Sequence, residues 1–282
     1  MTAHILDGKK LALEIEQQIA CEVNESNFSI KPKLAVILVG ENSASQLYVE
    51  KKQLACVRVG FETQKFELPS SISEQEVLVL IQKLNQDSSI HGILVQLPLP
   101  AQLSTEHVMN AILPIKDVDG FSSHNIGLLA HGNEFLLSAT ARSVLRLLET
   151  IPLDFKGKHF VIVGHTLVVA RPLGFALVAR DATVTITNKF TQNLSDLTQK
   201  ADVIVSAVGK PSLITNEMVK ENVIAVDVGI SRVNNKVVGD LDFENLKEKA
   251  SYITPVPGGV GPVTVSCLLE NTWNSFKVQM QL

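Results

Sequence analysis

Cysteine is scarce in this chain: of 282 residues only Cys21, Cys56 and Cys267 carry a thiol. They are odd in number, scattered and without metal-ligand spacing, so they are expected as small core residues, with neither a disulfide framework nor a metal site. Charge of one sign is gathered nowhere, since 25 basic residues face 29 acidic ones for a net charge of −4. That excludes the electrostatic footprint of a nucleic-acid or anionic-membrane binder. No apolar run is long enough to span a bilayer, and the opening Met1-Thr-Ala-His-Ile-Leu-Asp-Gly-Lys-Lys10 lacks a hydrophobic signal core. A protein of a reducing compartment, the cytoplasm, is expected. There is no internal repeat and no low-complexity segment.

What is present is a well-buried composition, 45% hydrophobic against 19% charged, and a length comfortable for two domains. Leu34 to Val39 is a continuous apolar run ending at Gly40, the pattern of a strand buried on both faces in a parallel sheet. Helices are expected from Asp7 to about Glu25, from an Asn42 or Ser43 cap to about Gly60, and from Ser73, where Glu76 completes a capping box. Strands are expected near Phe61–Leu68 and over Ile90–Leu97. A Pro/Gly/Asn-rich passage from Pro114 to about Gly132 reads as the domain crossing, and Thr140–Thr150 as a connecting helix. Strands then recur at His159–Val163, Thr183–Thr187, Val203–Ala207, Val223–Val228 and Ser251–Thr254, before a helix over about Val263–Val278. Strands alternating with helices indicate βαβ units, so the fold class is α/β.

Tyr48 and Lys52 stand four apart on the second helix and share a face. Above the end of a buried strand, a ring and an amine lie where open α/β sheets place ligands. An amine there loses hydration and can exchange protons near neutrality; a solvated lysine on an amphipathic helix is the plainer reading of these two residues alone. Gln96 ends its strand facing the crevice, or is an ordinary strand-end residue. Asp119, in Asp117-Val-Asp-Gly120, offers two acceptor oxygens to a heterocycle, or serves as an Asx turn. Thr254-Pro-Val-Pro-Gly-Gly-Val-Gly-Pro-Val-Thr264 fixes a backbone path with little side-chain bulk, so a flat ligand can approach its main chain. Phe160-Val-Ile-Val-Gly164 opens the second alternating unit without completing G-x-G-x-x-G, a weak dinucleotide signal. After the next strand stand Asn188 and Lys189 rather than an acid, which favours a 2′-phosphate and hence NADP over NAD.

Taken together, Tyr48-x-x-x-Lys52, Val95-Gln-Leu-Pro-Leu-Pro100, Lys116-Asp-Val-Asp-Gly-Phe121, Val226-Asp-Val-Gly-Ile230 and Pro255-Val-Pro-Gly-Gly-Val-Gly-Pro262 resemble one family. It is the bifunctional methylenetetrahydrofolate dehydrogenase/methenyltetrahydrofolate cyclohydrolase family, and Ala207-Val-Gly-Lys-Pro211 and Gly239-Asp240 extend the likeness over nearly the whole chain. The resemblance implies two α/β domains with a cleft between: a parallel-sheet catalytic domain over residues 1–138, with a helix from about 263–282 packing back on it, and a Rossmann-type NADP-binding domain over 139–262. It implies NADP-dependent oxidation of 5,10-methylenetetrahydrofolate, hydrolysis of the methenyl product to 10-formyltetrahydrofolate, and a homodimer joined through the Rossmann-type domain. Carried over, Tyr48 stacks along the folate, Lys52 is the catalytic amine, Gln96 tunes it and Asp119 grips the pterin. Val95, Leu97 and Pro257, Gly258, Gly259, Val260 and Gly261 line the folate site. Gly164, His165, Thr166 and Ile230 fall to the cofactor, with Lys189 expected beside them from its place after the second strand, and no metal is called for.

Departures cluster on the cofactor side. The family's Pro-Cys-Thr-Pro-x-Gly reads here Ser138-Ala-Thr-Ala-Arg-Ser143, and its glycine-rich dinucleotide turn reads Gly164-His-Thr-Leu-Val-Val-Ala-Arg-Pro172. His165 is a poorer phosphate anchor than arginine because its charge varies around neutral pH. A mainly hydrolytic enzyme with weak or lost dehydrogenase activity, NAD in place of NADP, and a non-catalytic folate binder stand as alternatives.

Overall fold

In the computed structural model, which describes residues 2–26, 28–234 and 236–280, the chain alternates strands and helices along most of its length. The order is β1 (His4–Ile5), α1 (Gly8–Glu25), β2 (Lys33–Val39), α2 (Ser43–Arg58), β3 (Glu62–Leu68), α3 (Glu74–Gln86), β4 (Gly92–Val95) and α4 (Thr105–Asn110). Then come α5 (Ser123–Ala130), α6 (Ala139–Leu148), β5 (His159–Val163), α7 (Ala170–Val178), β6 (Thr183–Thr187), α8 (Leu194–Thr198) and β7 (Val203–Ser206). The chain continues through β8 (Ile224–Asp227), β9 (Ser231–Val233), β10 (Lys236–Val238), α9 (Phe243–Leu246) and β11 (Tyr252–Ile253) to α10 (Val260–Gln279).

Two units result. One runs Met1–Ala12, Ala130–Gly132 and Thr140–Thr264; the other runs Leu13–Leu129, Asn133–Ala139 and Val265–Leu282. The second unit holds a three-stranded parallel sheet in the order β3-β2-β4. β2 is the middle strand, and Leu34 to Val39 are all buried, which is why its sequence is apolar without alternation. Ala35, Ile37, Ile81, Ile93 and Val95 pack into one core cluster on this sheet. The first unit holds a six-stranded, all-parallel sheet ordered β1-β11-β8-β7-β5-β6. Its inner strands β7 and β8 are buried at every position.

Local chemistry sets the helix ends as the sequence indicates. Asn42 caps α2 by accepting from the Ser45 N–H at 3.0 Å. Ser73 and Glu76 form the reciprocal capping box of α3. The far end of α3 is closed from a distance: buried Lys116 donates from Nζ to the carbonyls of Leu84, Asn85 and Asp87 at 3.0, 2.9 and 2.8 Å. A cation on the last carbonyls of a helix meets both their unpaired lone pairs and the negative end of the dipole.

Within the second unit, part-buried polar contacts tie α1 to α10 and to α2. Trp273 Nε1 donates to Glu22 Oε2 at 2.6 Å, and Glu16 holds Arg58 through two hydrogen bonds of 2.7 and 2.9 Å. In the first unit β1 pairs with β11, His4 opposite Tyr252.

The structure adds elements that periodicity does not show. The passage from Pro114 to Gly132 contains α5, started by Ser122, whose Oγ accepts from Asn125 N–H at 3.3 Å. β1 is two exposed residues long, and β9 and β10 form a short hairpin; none has enough alternation to stand out. No helix among the described residues is long and apolar enough to cross a membrane.

Candidate functional site

In the second unit, β2 delivers the chain through Gly40 into α2, and β4 lies beside β2. Gln96 continues the ladder for one residue, its N–H on the Ile37 carbonyl at 2.9 Å. Lys52, half-buried on α2, donates from Nζ to Gln96 Oε1 at 3.1 Å, and Gln96 Nε2 donates to the Leu97 carbonyl at 2.8 Å. The second bond settles which way the amide faces, so its oxygen is the end presented to the amine. Removal from water lowers the Lys52 pKa, opposed by the nearby Asp119 carboxylate. Removal from water likewise raises Asp119, with Lys52 pulling it down and Asp117 pushing it up. Burial thus favours the neutral form of both groups, and the charge of each favours the charged form of the other.

Asp119 is spared turn duty because Asp117 performs it. The buried Asp117 carboxylate accepts from the N–H groups of Gly120, Phe121 and Ser122 at 3.0, 3.3 and 2.8 Å, and from Asn125 Nδ2 at 2.9 Å. The Asx role weighed for Asp119 therefore belongs two residues earlier. Tyr48 stands one turn before Lys52 on α2 with its side chain exposed. Val95 is buried in the core, and Leu97 packs partly against the same cluster.

In the first unit, Pro257 to Gly261 lead into α10, which begins at Val260. Gly258 has φ +113°, a conformation L side chains rarely adopt. A Cβ on Gly259 would lie 2.7 Å from the Pro255 carbonyl oxygen, and one on Gly8 would lie 1.8 Å from the Gly259 oxygen. The loop is thus folded tightly on itself and on the start of α1. Gly261, by contrast, has open space.

The residues expected at a dinucleotide gather at one end of the six-stranded sheet. Gly164, Lys189 and Ile230 follow β5, β6 and β8, and the loop beginning at Ala207 follows β7. These four strands are neighbours and parallel, so all four loops leave from carboxyl ends, where open α/β sheets bind ligands. Gly164 has φ +123°, and a Cβ there would lie 2.7 Å from the Ala207 oxygen. His165, Thr166 and Lys189 are exposed. Thr166 Oγ1 accepts from Val169 N–H at 3.3 Å, and Arg171 Nε donates to the His165 carbonyl at 3.2 Å, so the turn is held from within. Lys189 Nζ lies 4.9 Å from the centroid of the Phe190 ring. A backbone turn without a Cβ, flanked by a hydroxyl, an imidazole and an ammonium, suits a phosphate-bearing cofactor. Among the described residues no group of three or more His, Cys, Asp or Glu could hold a metal ion.

Known proteins match both parts of the chain. A family model described as the catalytic domain of tetrahydrofolate dehydrogenase/cyclohydrolase matches residues 6–119. A second, described as the NAD(P)-binding domain of tetrahydrofolate dehydrogenase/cyclohydrolase, matches residues 138–280. The bifunctional protein FolD of Sulfurihydrogenibium sp. (strain YO3AOP1) is 49% identical over 277 residues, covering 97% of each chain. The crystal structure of the bifunctional FolD methylenetetrahydrofolate dehydrogenase/cyclohydrolase of Campylobacter jejuni superposes with a TM-score of 0.96 at 45% identity, over 98% of this chain and 99% of that one. The Trypanosoma brucei FolD, solved with NADP cofactor and inhibitor, gives 0.95 at 33% identity over 100% of both chains. With both halves matched, and the Lys52–Gln96 pair standing beside Asp119, the chain belongs to the tetrahydrofolate dehydrogenase/cyclohydrolase family.

Proposed function

We propose that this protein oxidises 5,10-methylenetetrahydrofolate with NADP⁺ and hydrolyses the 5,10-methenyl product to 10-formyltetrahydrofolate, a one-carbon donor of the kind purine biosynthesis consumes. The observation that carries the reading is the Lys52 amine, bonded to Gln96 and set beside Asp119, in a chain whose other half carries a dinucleotide-type sheet end. Residues 1–138, apart from β1, which pairs with β11 in the six-stranded sheet, form the folate half with the helix from about 263 to 282, and residues 139–262 the NADP half. Tyr48, Val95, Leu97 and Pro257 to Gly261 hold the folate, and Asp119 grips the pterin. Gly164, His165, Thr166, Lys189 and Ile230 hold the NADP, which when bound supplies the hydride acceptor.

The folate nitrogens stabilise the cation left by hydride loss, so the protein's part in that step is alignment. In hydrolysis, water adds to the methenyl carbon and a C–N bond must open, which needs proton transfers. Lys52, with its pKa lowered, accepts and returns those protons, and Gln96 fixes the direction of its Nζ. A second reading, a hydrolase with little dehydrogenase activity, is favoured by Lys189 lying over Phe190 and by the fully buried methyl of Ala170 at the start of α7. Reduced-nicotinamide absorbance with NADP⁺ or NAD⁺, run beside methenyl hydrolysis, separates the two. Turnover with NADP⁺ exceeding that with NAD⁺ is the expected result; hydrolysis with silence from both nucleotides establishes the second reading.

A homodimer joined through the Rossmann-type unit fits its surface. β6 is the edge of the six-stranded sheet, and Ile186 on it, Phe175 and Val178 on α7, and Phe190 are all exposed. Light scattering is expected to give twice the chain mass, falling to one chain mass for Ile186→Glu; a monomeric parent protein would overturn this. Cys21, Cys56 and Cys267 are all outside any disulfide, the last two buried, which suits the cytoplasm.

A further inference from the structure

Two carboxylates outside the residues assigned above tie the dinucleotide end of the six-stranded sheet together. Asp227 ends β8 and is buried. Its Oδ1 accepts from the N–H groups of Gly229 and Asp240 at 2.9 and 3.0 Å, and its Oδ2 from Leu241 at 2.8 Å. Asp240, also buried, accepts at Oδ2 from Ser206 Oγ and Val208 N–H, and at Oδ1 from Lys210 N–H, each at 2.8 Å.

The arrangement is reciprocal. A Cβ on Gly229 would lie 2.1 Å from Asp240 Oδ1, and one on Gly239 would lie 2.0 Å from Asp227 Oδ2. Each aspartate thus occupies the space left by the glycine near the other. The β9–β10 hairpin joins the two, and Ser231 Oγ donates to the Gly209 carbonyl at 2.9 Å.

Burying two carboxylates side by side is costly. Burial pushes the Asp227 carboxyl up to about 6 against the pull of its N–H donors, with the Asp240 charge adding to the rise. The return is that the backbone at 208, 210 and 229 is held to one framework. Gly164 shares it, since its turn packs on the Ala207 carbonyl. The loops so fixed are those at the carboxyl ends of β7 and β8, adjacent to the turn after β5.

We propose that Asp227 and Asp240 are positioning residues of the hydride-transfer site, holding the loops after β7 and β8 in the form that receives the dinucleotide. The proposal rests on the dehydrogenase reading above. Neither residue is asked to touch the cofactor, and neither lies in the unit that carries Lys52.

Asp240→Asn and Asp227→Asn decide it. Asparagine keeps the shape but turns one acceptor into a donor that faces N–H groups. In the full-length protein, the KM for NADP⁺ is expected to rise about tenfold or more, the effect of losing one or two charge-assisted hydrogen bonds, while methenyl hydrolysis stays within about twofold of the parent. Amide hydrogen exchange is expected to quicken at 207–210 and 228–230 while the strands β7 and β8 stay protected. Equal loss of both activities, or an unchanged KM with unchanged exchange, overturns the proposal while the enzyme reading stands. A parent protein silent with both nucleotides overturns the dehydrogenase reading, and this proposal with it.

Discussion

Lys52→Met is expected to slow methenyl hydrolysis by about 10²- to 10⁴-fold, the usual scale of a general acid–base contribution, and to spare hydride transfer by comparison. Methionine keeps an unbranched stem of nearly the same reach but leaves Gln96 Oε1 without its donor. Both activities, measured on one preparation, carry the test: equal losses would show that Lys52 holds the folate rather than moves protons. The pH profile adds a second, independent arm. The rate is expected to rise as Lys52 loses its proton, and removal from water, which lowers the Lys52 pKa, places that limb below the usual lysine range. Asp119 opposes the shift because a carboxylate favours the ammonium. Asp119→Asn is therefore expected to move the limb to still lower pH, along with weakening folate binding. A limb that stays put, or moves up, would show that the two groups do not titrate together.

The second large effect is structural. Asp117→Ala removes a buried carboxylate that receives three backbone N–H groups and the Asn125 amide. Hydrogen bonds to a charged acceptor contribute about 1.5–3 kcal/mol each, and unmet buried donors carry a desolvation penalty. A loss of about 3 kcal/mol or more of unfolding free energy is expected from denaturant titration. Since Asp119 is two residues away in the same turn, folate affinity falls as well. A loss below about 1 kcal/mol would mean that water replaces the carboxylate at little cost.

What could be read from the sequence was what depends on near neighbours. The apolar run of β2, the Asn42 cap and the Ser73–Glu76 box are local statements, and each stands in the structure where its residues put it. The family's likeness to these motifs located Lys52 and Gln96, which turn out to share a hydrogen bond. Long-range polar partners were opaque. Lys116 reads as one charge in a turn sequence, yet it closes α3 some thirty residues earlier, because only the folded chain brings its ammonium to those carbonyls. Asp227 and Asp240 sit in recognisable family stretches, but their pairing depends on a hairpin with little strand pattern of its own. Gly229 and Gly239, each near one of the two acids, were the available signal.

The neighbours of α1 also have a consequence for how the protein is made. Glu22 on α1 is bonded to Trp273, 251 residues later, and β1 waits for β11. At about 5–20 residues per second, a ribosome takes roughly 10–50 s to cover such a distance. For most of that interval the first helix stands outside the ribosome with its Ile15 and Ile19 face, buried in the finished fold, still lacking α10. α1 is translated well before α10 and is completed only with it, so it is the stretch on which a nascent-chain chaperone would act.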